Sequence, residues 1–158
     1  MYPRANSVSS VISSKQINKA QILLPDIEFY VGNFLETEIN NEFNAVFSFS
    51  TFQYIKKEDV NIFNEKCLDL VVPSGKVHHL SIPNRQLRRA YYYRNLKENN
   101  STLVAWPLSL VRNLSSKYGK DGSNWHDPNY IKNSSSKFEV IIDCPSDSWY
   151  RFNFHLAK

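Results

Sequence analysis

Few side chains in this sequence have the type and spacing that chemistry demands, and the four histidines, His78, His79, His126 and His155, come first among them. His126 lies in a polar stretch between Trp125 and Asp127. A loop histidine beside a carboxylate has the makings of a general base; a structural contact in an ordered loop is the competing reading. His78 and His79 are consecutive in an apolar run. In a strand their rings point to opposite faces and cannot chelate one metal together. His155 sits in the last apolar run. No Cys/His spacing of the zinc type occurs, so no metal is expected. Cys67 and Cys144 fall in apolar patterns and read as small buried hydrophobes. No Gly-x-Ser-x-Gly elbow marks a nucleophile. Gly32, Gly75, Gly119 and Gly122 are the only glycines, and none forms a Gly-x-Gly loop that would cradle phosphate.

The elements that would position these groups can be read from periodicity. Ser13-Ser14 caps a helix whose apolar side is Ile17, Ala20, Ile22, Leu23 and Leu24, stopped by Pro25. Ile27 to Val31 alternates as a strand and ends at Gly32-Asn33. Phe43 to Phe49 is nearly continuously apolar, which suits a strand covered on both faces. Val60, Phe63, Cys67 and Val71 recur at helical spacing, with Pro73-Ser74-Gly75 as the expected stop. Lys76 to Ile82 is the next strand, closed by Pro83-Asn84. This alternation is the mark of parallel crossover units. Residues 85–96 and 103–117 read as helical, with Pro107 opening a turn or a new helix rather than sitting inside one. Lys120 to Ser136 is polar and loop-rich. Phe138 to Asp143 and Tyr150 to Leu156 read as an antiparallel hairpin added to the sheet edge.

At 158 residues, with a hydrophobic fraction of 42% and an aromatic fraction of 14%, the chain suits one domain with one core. No run approaches the roughly 20 apolar residues that span a bilayer. The start lacks the features of a signal peptide, so no membrane role and a cytoplasmic location are expected. The charge of +4 is partly one cluster, Arg85, Arg88, Arg89 and Arg94, interleaved with Tyr91, Tyr92 and Tyr93. The preferred reading is a solvated helix face with tyrosines turned inward; contact with nucleic acid is the lesser one.

Several segments together resemble a known family. Val11 to Ala20, Ile27 to Phe34, Phe43 to Tyr54, Leu70 to Asn84 with Pro73-Ser74-Gly75, and Trp149-Tyr150-Arg151-Phe152 resemble, in order and spacing, a class I methyltransferase dependent on S-adenosylmethionine. About two-thirds of the chain takes part in the likeness. The resemblance implies an α/β, Rossmann-like methyltransferase sheet, mostly parallel with an antiparallel C-terminal hairpin and incomplete at its N-terminus. It implies transfer of a methyl group from S-adenosylmethionine to a small-molecule acceptor. Asn33 and Phe34 would lie near adenine, with Ser48 and Phe49 lining the cofactor groove. Gln53, Tyr54 and Asn84 would face the acceptor. Residues 85–137 would form a lid-like insertion that selects the substrate, with His126 as its candidate base.

Two departures from the family pattern accompany the match. The family's first strand and glycine-rich loop precede everything matched here, so the chain is expected to start late, as a truncated domain. The acidic residue that ends the second strand and binds the ribose falls at Val11, whose side chain accepts no hydrogen bond. A charge-assisted bond is worth about 1.5–3 kcal/mol, so cofactor affinity should be weaker and activity impaired. Without the first strand, Ser7 to Ile12 would re-pair against Ala45 to Ser48, another chain would donate a strand, or the N-terminal residues would be loose. A non-catalytic remnant that binds a partner, or self-associates through an exposed sheet edge, is the alternative function.

Overall fold

The computed structural model describes residues 8–11, 14–40, 42–98, 100–115, 124–134, 136–143 and 148–157. Cys144, Gly119, Gly122 and most of the expected connection between the last two strands lie outside that set. The chain divides into two compact units, Met1–Phe43 and Asn44–Lys158.

In the first unit, β1 (Val8–Val11) and β2 (Glu28–Val31) pair in parallel, with Val8 opposite Glu28 and Val11 opposite Val31. Parallel neighbours need a crossover, and α1 (Ser14–Leu23) supplies it, burying Ile17. The Leu24 amide still bonds the Ala20 carbonyl, and Pro25 then stops the helix as expected. Re-pairing of Ser7 to Ile12 with Ala45 to Ser48 does not occur among the described residues: β1 has β2 as its partner, and Ala45 to Ser48 lie in a different sheet.

The second unit is built on a four-stranded sheet. Its strands are β3 (Phe43–Phe49), β4 (Val71–Pro83), β5 (Glu139–Asp143) and β6 (Arg151–Ala157), in the order β3-β4-β6-β5. β6 runs antiparallel to both β4 and β5. The expected C-terminal hairpin is therefore present, but its second strand inserts beside β4 and leaves β5 at the edge. The whole is an α/β fold with open, mixed pairing.

The helix α2 (Val60–Asp69) packs on β4. Its Val60, Phe63 and Cys67 are buried, as are Val77, Ile82, Phe152, Phe154 and Leu156 of the sheet. Full burial of each such side chain contributes about 1.5–3 kcal/mol. Cys67 is the buried hydrophobe the sequence suggests, and burial pushes its thiol pKa up to about 12, so it stays protonated and unreactive. At the centre of this core sits Phe52, 0% exposed. Its ring meets those of Phe63, His79, Phe154 and His126 at centroid distances of 5.4, 4.8, 5.1 and 5.5 Å.

Two expectations about proline are corrected. Pro73-Ser74-Gly75 does not stop a helix. The helix ends at Asp69, and β4 starts at Val71 and runs through all three residues. The ladder with β6 begins only at Val77, so the missing amide of Pro73 breaks no bond to β6. Pro107 does lie inside a helix, α4 (Thr102–Ser115), which packs against α3 (Arg88–Lys97). Pro107 cannot donate to the Leu103 carbonyl, but Leu103 lies on a turn open to solvent, where water can substitute. The buried small residues Ala105 and Ser109 hold the helix in place by packing.

β4 also carries a bulge. His79 faces Phe154 and Ile82 faces Phe152, so Leu80 and Ser81 together oppose Asn153 alone. Ser81 accordingly takes a left-handed backbone, φ 63°.

Candidate functional site

The site is built where β3 and β4 end and β6 begins. After Phe49 the chain turns sharply at Ser50, left-handed at φ 53°, whose amide bonds the Leu80 carbonyl at 2.9 Å. A single 3-10 turn, Phe52–Tyr54, follows and drives Phe52 into the core. β4 ends at Pro83 and is followed by Asn84, whose amide bonds the Tyr150 carbonyl, and whose Oδ1 caps the turn Arg85–Leu87 by accepting from the Gln86 amide. The stretch around His126 lies alongside Asn84 as an isolated parallel bridge. It is fixed by the His126 amide on the Pro83 carbonyl, the Arg85 amide on the His126 carbonyl and the Asn124 amide on the Gln53 carbonyl.

His126 is buried, and its Nε2 lies 2.8 Å from the Phe52 carbonyl, so Nε2 carries the proton and donates. Burial pushes its pKa below the ordinary histidine value, partly offset by the backbones of Phe52 and Ile55. The imidazole is therefore neutral at physiological pH, and it ties the Asn124–Asp127 stretch to the turn after β3. Asp127 does not orient it. That carboxylate instead caps α5 (Pro128–Lys132), accepting from the Asn129 amide at 2.9 Å and from Gln86 Nε2 at 3.3 Å.

Ser48 is turned into the core, its Oγ 2.7 Å from His79 Nδ1. Phe49 and Tyr54 point outward, 69% and 66% exposed. Gln53 bonds through Oε1 to Arg151 Nη2 at 3.2 Å. In the first unit, Gly32 takes φ 152° and leads into a turn organised by Asn33. The Asn33 Oδ1 accepts from the Leu35 amide and its Nδ2 donates to Glu36 at 2.7 Å. Phe34 stands beside it, half-buried. The second unit thus brings Ser48, Phe49, Gln53, Tyr54, Asn84 and His126 to one edge of its sheet, whereas Asn33 and Phe34 belong to the other unit.

Sequence reasoning did not mark Arg151 as a site residue. Its Nη1 donates to the Ser81 carbonyl at 2.6 Å and reaches the hydroxyls of Ser81 and Ser50 at 3.3 and 3.4 Å. An arginine at the start of a strand, beside aromatic residues and facing strand ends rich in serine, was the available signal. Beside it lie Tyr150, Tyr91 and Trp125, with Tyr91 4.5 Å from Tyr150 and 5.3 Å from Trp125 between centroids. The arginine–tyrosine run of α3 meets the expectation of a solvated face with inward tyrosines only in part: Tyr92 is buried, Arg94 lies over Trp149 and Arg89 over Trp106, but Arg88 is buried rather than solvated. Among the described residues no three His, Cys, Asp or Glu side chains gather as a metal site, and no helix is long and apolar enough to cross a membrane.

Neither protein-family models nor curated proteins match the chain. Solved structures do. The DhpI-SAM-HEP complex is similar over 98% of this chain and 69% of its own, with a TM-score of 0.62 at 13% identity. The PH0226 protein of Pyrococcus horikoshii OT3 is similar over 96% of this chain and 70% of its own, with a TM-score of 0.63 at 14% identity. Magnesium protoporphyrin IX methyltransferase of Synechocystis PCC 6803, with bound SAM, is similar over 96% of this chain and 58% of its own, with a TM-score of 0.57 at 10% identity. The fold is that of class I methyltransferases dependent on S-adenosylmethionine, as the resemblance implied.

Proposed function

We propose that the chain is a methyltransferase-like protein that binds S-adenosylmethionine weakly and presents a small-molecule acceptor to it. The observation that carries the reading is the likeness over nearly the whole chain to structures with that cofactor bound. S-adenosylmethionine supplies a methyl group already activated by a sulfonium, so the protein's work is mainly to hold two reactants in line. The residues fit that task in part. The outward rings of Phe49 and Tyr54 offer the apolar surface a purine or thioether needs. The Asn33 amide and the Ser48 hydroxyl are engaged within their own units, which leaves backbone groups as the polar partners there. Taken within each unit by itself, Asn33 and Phe34 in the first and Ser48 and Phe49 in the second are the proposed cofactor contacts, and Gln53, Tyr54 and Asn84 of the second unit the proposed acceptor contacts. His126, the candidate base, serves in this reading by fixing the acceptor side of the site through its bond to the Phe52 carbonyl.

Calorimetric titration with S-adenosylhomocysteine and S-adenosylmethionine tests this. Weak saturable binding is expected, because Val11 supplies no ribose acceptor. Silence at millimolar ligand sinks the enzyme reading and favours a non-catalytic module. One observation favours that second reading on its own: β3 is the outer strand of its sheet, and Phe47 and Phe49 on it are largely exposed. Sedimentation that shifts to a dimer with rising concentration is its expected mark.

A further inference from the structure

Arg151 is half-buried at the strand ends, yet each hydrogen-bond partner of its guanidinium among the described residues is neutral. They are the Ser81 carbonyl, the Ser50 and Ser81 hydroxyls and the Gln53 amide oxygen. The ion pairs among the described residues lie elsewhere, between Lys137 and Glu65 and between His155 and Asp143. Arginine stays charged at any relevant pH, and a charge taken partly out of water calls for an opposite one.

The backbone around it is strained. Ser50 and Ser81 are the two non-glycine residues with positive φ among the described residues, and both touch this guanidinium. Such conformations cost on the order of 1–3 kcal/mol each and gather at functional sites. Ser81 is further held by its amide on Asn153 Oδ1 at 2.8 Å. Strain, bulge and charge therefore coincide at one point.

Beside that point stand flat, donor-bearing rings. Arg151 Cζ lies 5.2 Å from the centroid of the Tyr150 ring, which continues into Tyr91 and Trp125. Trp125 Nε1 and Tyr92 Oη, both donors, are buried in this cluster without a hydrogen-bond partner. Orphaned donors beside a cation that no carboxylate among the described residues meets are complementary to a ligand rich in acceptor oxygens.

We infer that this edge of the sheet binds a small acid with a planar apolar body, its oxyanion on Arg151 and its body against Tyr91, Trp125 and Tyr150. This deepens the methyltransferase reading by naming the acceptor's class, and it rests on that reading for the acceptor's role. The experiment uses the full chain with benzoate, phenylphosphonate and neutral benzamide, followed by calorimetry with and without S-adenosylhomocysteine. At least one of the two anions binds tenfold or more tightly than benzamide. Arg151→Gln abolishes that preference. Ser50→Gly and Ser81→Gly, which keep the left-handed backbone but remove the hydroxyls, reduce it severalfold and remain informative if Arg151→Gln fails to fold. Benzamide binding as tightly as both anions, or a preference unchanged in Arg151→Gln, overturns the inference. Anion preference without S-adenosylhomocysteine binding removes the methyltransferase reading and leaves the acid site standing; the reverse result removes the acid site alone.

Discussion

His78 and His79 are neighbours in β4 and meet opposite worlds. His79 is 0% exposed, walled by Phe52, Phe63 and Phe154, with Ser48 Oγ on its Nδ1 and no partner on its Nε2. Burial drives its pKa down to about 3. His78 lies on the other face, stacked on Phe47 at 5.2 Å and next to His155, which bonds Asp143 at 2.7 Å. Its pKa is lowered too, by burial first and then by His155, without the enclosure that traps its neighbour. The same side chain, one residue apart, is a silent core element on one face and part of a wet polar row on the other. Environment, not residue type, decides what a histidine can do here.

Mutations can break that contrast, beginning where the effect is largest. Phe52→Ala empties the ring cluster around His79 and is expected to cost about 3–5 kcal/mol in urea unfolding. Phe47→Ala, on the opposite face and 67% exposed, should cost less than about 1 kcal/mol in the same assay. A ratio near one would show that the two faces are equally covered. Acid should act through His79. Its folded pKa lies below its unfolded value, so the unfolded chain binds the proton first and stability falls as pH drops from about 6.5 toward 3. Between pH 7.5 and pH 5 its share is about 2 kcal/mol, and His79→Leu should flatten that part of the stability–pH curve. A variant with the same acid sensitivity would move the proton uptake to another group, such as His126.

Ser48→Ala leaves His79 with neither ring nitrogen satisfied and should cost about 1–3 kcal/mol at neutral pH. The smallest effect belongs to the open face. Asp143→Asn removes an exposed partner of His155 and should change unfolding by less than about 1 kcal/mol.

The opposite orientation of His78 and His79 was legible because it follows from strand periodicity alone. So were α2, the burial of Cys67, the C-terminal pair of strands and the existence of a strand at Phe43–Phe49, all of them local patterns. That strand's expected cover on both faces was not met, because β3 is an outer strand with Phe47 and Phe49 exposed. The rest depended on distant partners. Arg151 meets serines 70 and 101 positions away, a proximity that no local spacing encodes. Pro107 stays helical because buried Ala105 and Ser109 hold α4, a tertiary effect that overrides proline's local preference. His126 read as a base beside Asp127, but the turn after β3 and the start of α5 each claimed one of the two side chains.

The extra residue in β4 works like a dislocation in a crystal row. Before it, odd-numbered positions such as Val77 and His79 face the core; after it the even-numbered Ile82 does. Counting alternation straight through would send Ile82 to the wrong side. A strand of this design without the defect is one residue shorter between His79 and Ile82, so any comparison of the two needs its gap at that spot.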